Sequence, residues 1–121
     1  FSVSLLEADG ARGMDLKLHS ERDPVIPPFT TATIALLSLA ALGRPASEVC
    51  FGCDDRSIVD EAWLAAYICR SDGPLKGAAG RVVLLCNQSE RVDLKRIETL
   101  RNACADLPIL FGSVALDTII E

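Results

Sequence analysis

Aromatic side chains make up only 5 % of this 121-residue chain, although 50 % of it is hydrophobic. A core so poor in aromatics rests on Leu, Ile, Val and Ala, the composition of a sheet covered by helices, so the chain reads as α/β. Basic residues are also in deficit, with 12 Lys and Arg against 17 Asp and Glu and a net charge of −5. Nucleic-acid binders need clustered Lys and Arg. No basic stripe occurs, which excludes phosphate-backbone binding as the main activity. No apolar run is long enough for a membrane either: the uncharged stretch 25–43 is broken by Pro27, Pro28, Thr30 and Thr31. What remains is too short to cross a hydrocarbon layer of about 30 Å as a helix. No basic leader precedes the first apolar residues, so no signal peptide is expected. Histidine occurs once, as His19, beside a single C-x-x-C. Structural zinc needs further ligands at paired spacing, so no zinc is expected.

The length suits one α/β domain spanning residues 1–121, burying roughly two thirds of the surface its unfolded chain exposes. The chain opens on Phe1 rather than Met, already inside an apolar run. It is therefore expected to be the carboxyl-terminal portion of a longer protein, with a partner strand upstream. Cys50, Cys53, Cys69, Cys86 and Cys104 are an odd number set in apolar segments, as suits thiols in a reducing, cytoplasmic compartment. Cys50 and Cys53 form the C-x-x-C, a spacing that lowers thiol pKa in redox proteins. A thiol-disulfide function is one reading of it, and a strand carrying Cys50 with Cys53 at its end is the other.

The most informative stretch is Val3-Ser4-Leu5-Leu6 running into Glu7-Ala8-Asp9-Gly10-Ala11-Arg12. It predicts a buried strand that delivers acids to a site, because carboxylates beside a core need charged partners. If the strand persists, Glu7 and Asp9 share a face and can order a cation such as magnesium. The alternative is a strand ending at an Asp-Gly turn, with Arg12 pairing one acid.

Beyond this, residues 15–19 alternate as a short edge strand does. Strands are predicted at about 31–38, with a helical turn before Gly43, and at 48–53. Asp55 or Ser57 should cap a helix reaching Arg70, with Ile58, Ala62, Ala65, Ala66 and Cys69 inward. Residues 81–87 form the clearest strand, apolar on both faces. Asp93 opens a second helix with Ile97, Leu100, Ala103 and Cys104 inward, residues 108–113 form a final strand, and 115–121 a terminal helical turn. Strands alternating with helices predict a mostly parallel sheet with flanking helices, whose ligands bind beyond the carboxyl ends of the strands. Polar groups mark three such ends: Glu7 with Asp9, Asn87 to Glu90, and Gly112 with Ser113. Their convergence on one rim is the predicted site, and an open sheet edge beside the first strand would invite self-association.

The string Glu7 to Arg12, then Lys17, then Asp23-Pro24-Val25-Ile26-Pro27 with Thr30 and Thr31, resembles the signature of YqeC-like proteins, P-loop nucleotide-binding accessory proteins of selenium-dependent molybdenum hydroxylases. Ala41-Leu42-Gly43-Arg44-Pro45, Leu75-Lys76-Gly77 and the strand ending at Asn87 add to the likeness. The family pattern has Glu where this chain has Asp23, and its Gly-rich Walker A segment is expected upstream of Phe1. The resemblance implies a three-layer P-loop NTPase-like fragment. It also implies magnesium and a nucleoside triphosphate as cofactors and a client molybdenum hydroxylase as partner. By the same resemblance Asp9 organises the metal, supported by Glu7, with Lys17 and Asp23 in the signature. Lys76, in a Gly-flanked loop, can approach a ligand or serve as a turn lysine. Asn87-Gln88-Ser89-Glu90 matches the base-reading Asn-Lys-x-Asp motif only at Asn87; Glu90 lengthens the arm that reads guanine, so the base preference stays open. Hydrolysis would need the upstream segment. The alternative is a non-enzymatic module that docks a partner or binds molybdopterin through residues 12–28.

Overall fold

The computed structural model describes residues 2–120. Among the described residues six strands form: β1 (Leu16–Lys17), β2 (Ala32–Ser38), β3 (Cys50–Phe51), β4 (Arg81–Asn87), β5 (Ile109–Ser113) and β6 (Thr118–Ile120). Three α-helices accompany them: α1 (Ala46–Val49), α2 (Glu61–Ile68) and α3 (Leu94–Ala103). The main sheet has the order β2-β4-β5-β6, parallel but for β6, and β1 pairs β3 in a separate parallel ribbon. The protein is α/β, as its composition implies.

Register explains the core. Side chains alternate across a strand, and the pairs Ala35 with Leu84, Leu37 with Cys86, and Cys86 with Phe111 align buried rows on one face. Both long helices cover that face, burying Leu64, Tyr67 and Ile68 from α2 and Ile97 and Leu100 from α3. Crossovers of one hand between strands added in one direction put their helices on one side. The opposite face leaves Ile34 and Leu36 of β2 64 % and 63 % exposed. The described chain thus shows two layers where the resemblance implies three. Among the described residues no helix is long and apolar enough to cross a membrane.

The strands at 31–38, 81–87 and 108–113 form as expected, as does the helical turn before Gly43, a 3-10 turn at Leu39–Ala41. Asp93 caps α3 by accepting from the Arg96 N–H, and Ile97, Leu100 and Cys104 are buried, although Ala103 is exposed. The register 15–19 shortens to β1.

Four expectations are corrected. Residues 2–10 form no strand: Val3, Leu5 and Leu6 are 70 %, 89 % and 62 % exposed. An apolar run becomes a strand only beside a partner, and among the described residues none lies alongside. Glu7 and Asp9 are consequently not held on a common strand face. Helix α2, the one expected to reach Arg70, begins at Glu61 rather than near Asp55 or Ser57, because 57–59 pair in extended form with 43–46 (Ala46 N–H to Ser57 C=O and Val59 N–H to Arg44 C=O, 2.8 Å each). Asp60 then caps α2, accepting from the Trp63 N–H at 2.7 Å. Its buried face is the large side chains Leu64, Tyr67 and Ile68, while Ile58, Ala62, Ala66 and Cys69 are exposed. The predicted strand 48–53 is half helix: α1 follows Pro45, and β3 stops at Gly52, whose φ of +81° ends the extended run. Finally, 115–120 forms no helical turn; the β-branched run Thr118-Ile119-Ile120 returns as β6 against β5. Glu121 lies outside the described residues.

Candidate functional site

The site is built on β1. Leu16 is buried and anchors the strand, while Leu18 N–H bonds to Phe51 C=O at 2.9 Å. The polar groups of Lys17 point the other way. Its N–H donates to Tyr67 Oη at 3.1 Å, and the Tyr67 hydroxyl donates to its C=O at 2.9 Å. One side chain thereby replaces a neighbouring strand. His19, two residues on, is fixed by its N–H to Asp72 C=O at 2.8 Å.

Lys17 and His19 receive acids from two loops. Lys17 Nζ lies 2.6 and 2.7 Å from the two oxygens of Asp9, 2.5 Å from Asp23 Oδ2 and 3.0 Å from Gly10 C=O. His19 Nδ1 lies 2.8 Å from Asp9 Oδ2. Asp9, His19 and Asp23 each offer a ligand atom within 4.8 Å of the others. Asp23 is steadied by Ser20, whose hydroxyl donates to Oδ1 at 2.8 Å and whose N–H donates to the same oxygen. Lys76 holds the loop from below, donating to the carbonyls of Ser20 and Asp23, the latter at 2.9 Å.

Electrostatics follow this geometry. Burial opposes the Lys17 charge, yet hydrogen bonds to Asp23 and Asp9 outweigh it and raise its pKa. Lys17 and then Ser20 hold the Asp23 carboxyl well below the usual carboxylate range. The Arg70 guanidinium, paired with Asp72 at 2.7 Å, lowers that acid in turn. Asp55 is lowered to about 2 by the Trp63 indole N–H and Ser57.

These groups open onto a cavity of about 550 Å3 walled by Lys17, His19, Asp23, Phe51, Tyr67 and Arg70, within the usual size for small-molecule sites of roughly 300–1,000 Å3. Trp63 stacks on Tyr67 there, with ring centroids 5.7 Å apart and planes inclined by 12°. Asp23, Asp54, Asp55 and Asp72 outnumber Lys17 and Arg70 in its lining.

Of the residues nominated from the sequence, Asp9, Lys17, Asp23 and Lys76 come together here. Glu7 does not join them; it is exposed beside Gly10. Asn87 and Glu90 also lie apart, at the carboxyl ends of β4 and β5. Asn87 Oδ1 accepts from the Val114 N–H at 2.9 Å, and Ser113 holds the Glu90 carboxyl below its usual range. Two of the three polar tips thus meet, while Asp9 of the third belongs to the Lys17 charge cluster beside the β1 cavity. Sequence reasoning weighed His19 only against zinc, although its spacing of two from Lys17 was the available signal. Arg70 and Asp72 carried no local signal, because Asp72 is joined to His19 through its backbone, 53 positions along the chain.

Cys50 lies on β3 and Cys53 just beyond its end, the second of the two arrangements that the C-x-x-C spacing allows. Cys50 is buried, and desolvation, with Cys53 beside it, pushes its thiol up to about 12; a reactive thiol needs the opposite shift.

Comparison with curated proteins and with solved structures returned no match. A family model does match: residues 1–54 fit the one described as YqeC protein. That stretch carries Asp9, Lys17, His19 and Asp23 together with β3, so the half of the cavity that holds the charge cluster lies within it, and over these residues the chain is YqeC-like.

Proposed function

We propose that the chain provides the metal and nucleotide side of an accessory protein for the maturation of selenium-dependent molybdenum hydroxylases, within a P-loop type of fold. The observation that carries the reading is the convergence of Asp9, His19 and Asp23 beside a cavity of nucleotide size. The acidic surplus of the lining disfavours a bare triphosphate and favours one already complexed to a divalent cation. The Trp63–Tyr67 stack supplies an apolar surface for a heteroaromatic ring.

The donor set fits magnesium through the oxygens of Asp9 and Asp23, with His19 as a nitrogen donor that also admits manganese. When bound, the ion would neutralise phosphate charge and orient a water. The protein's own residues do the positioning: Lys17 spaces the two acids, Ser20 and Lys76 fix the Asp23 loop, and Tyr67 fixes the strand beneath them. The 121 residues contain no G-x-x-x-x-G-K followed by Ser or Thr, so hydrolysis is assigned only to a chain that also carries such a phosphate cradle.

Calorimetry of the 121-residue chain with ATP and GTP, with and without magnesium, tests the reading. Binding should require magnesium and weaken at least tenfold in Asp9→Asn. Heat independent of magnesium, or unchanged in Asp9→Asn, contradicts it. No heat with either magnesium nucleotide leaves the protein-docking module in its place.

A further inference from the structure

The Lys17 ammonium is seated between Asp9 and Asp23. Its side chain is 11 % exposed and contacts both carboxylates and the Gly10 carbonyl. A divalent ion cannot take the same oxygens while that charge stays, because two cations would share one small ring of acids. The lysine backbone is held on both sides, by Tyr67 and through the β1–β3 pairing. Only the four-carbon stem is free to swing. From its seat on the two acids Nζ already lies 5.6 Å from the centroid of the Phe51 ring, which also carries the Arg12 guanidinium at 5.4 Å and whose face attracts an ammonium, so a short swing off the carboxylates leaves the charge beside that ring. Phe51 also lines the cavity, so a displaced Lys17 remains where a phosphate would enter.

We propose that Lys17 is a resident counter-ion, which a divalent cation must displace from Asp9 and Asp23 before it can engage them together with His19, and that the displaced ammonium then faces the ligand's phosphates. The inference rests on the metal reading above and adds an exchange step: without a metal the two acids are neutralised internally and the loops bearing them stay closed on Lys17. With a metal, one positive charge moves from the acids toward the anionic part of the ligand. No bond is made or broken and no proton is transferred.

The test uses Mn2+ alone, so that it does not depend on nucleotide binding. Free Mn2+ is read by electron paramagnetic resonance in titrations of the full chain and its variants. Lys17→Met, close in volume and uncharged, should bind at least tenfold more tightly than the parent; Lys17→Arg should show no gain; Asp9→Asn added to Lys17→Met should abolish the gain. Binding by Lys17→Met no tighter than by the parent overturns the proposal. Should that variant fail to fold, the unsubstituted chain gives the answer by 15N NMR of its lysine side chains. The hydrogen-bonded Lys17 ammonium signal should broaden into solvent exchange as Mg2+ is added; its persistence at saturating Mg2+ overturns the exchange. A chain that exchanges lysine for metal yet shows no heat with magnesium nucleotides would fail only the nucleotide reading.

Discussion

Gly80→Ala should destabilise the fold by roughly 3–5 kcal/mol, a large share of the 5–15 kcal/mol available to a typical domain, and lower the melting temperature by more than about 10 °C. Gly80 has a φ of +71°, in the left-handed region, and a Cβ built on it would overlap the carbonyl carbon and oxygen of Thr31. That carbonyl accepts the Arg81 N–H at 3.0 Å, immediately before the first rung, Ala32 with Arg81, of the β2–β4 pairing. Neither side of the clash is a flexible side-chain tip. The chain must move backbone, and the movement falls at the start of the sheet's longest ladder. Gly43→Ala is the matched control. Its φ of +87° imposes similar torsional strain, but the added methyl meets nothing within 4 Å, so the cost should be about 1 kcal/mol. Thermal melts followed by circular dichroism compare the two; equal losses would refute the steric account.

Tyr67→Phe should cost about 2–4 kcal/mol while removing a single oxygen. Burial raises the Tyr67 pKa well above its usual value, so the hydroxyl remains neutral and serves both as donor and as acceptor for Lys17. Without it, the Lys17 N–H and C=O lose their partners in a half-buried place, and such groups are expensive to leave unpaired. The ring itself, with its stack on Trp63, is retained, so packing changes little. The loss therefore reports hydrogen bonding to β1. Chemical denaturation measures it, and a change below about 0.5 kcal/mol would mean that Tyr67 acts only as core.

Those two residues also show why the sequence disclosed only part of the molecule. Strands at 32–38, 81–87 and 109–113 were legible because their apolar patterns and bounding turn residues are local. The capping role of Asp93 is local too. The status of Val3–Leu6 was not legible, since the same apolar run is a strand or an exposed coil according to whether a neighbour is present. The start of α2 is not legible locally because residues 57–59 are recruited by 43–46, nor is its inward face, where Leu64, Tyr67 and Ile68 displace the small residues that periodicity alone selects. At the site, Asp9, Lys17 and Asp23 stood within one recognisable stretch. Their mutual contact did not, as it depends on Tyr67 and Asp72 from α2 and its exit. Asn87 and Glu90 were nominated by the rule that ligands gather beyond parallel strand ends. Here the acids come instead from the loops on either side of β1, and the cavity opens beside the small β1–β3 ribbon.

That separation makes the central claim decidable by one backbone NMR titration of the 121-residue chain with magnesium and a non-hydrolysable ATP analogue. The account predicts that the amide shifts concentrate at Asp9, Lys17, His19 and Asp23 and extend to Phe51 and Trp63. Shifts concentrated at Asn87, Glu90 and Ser113, with the β1 residues unmoved, would contradict it.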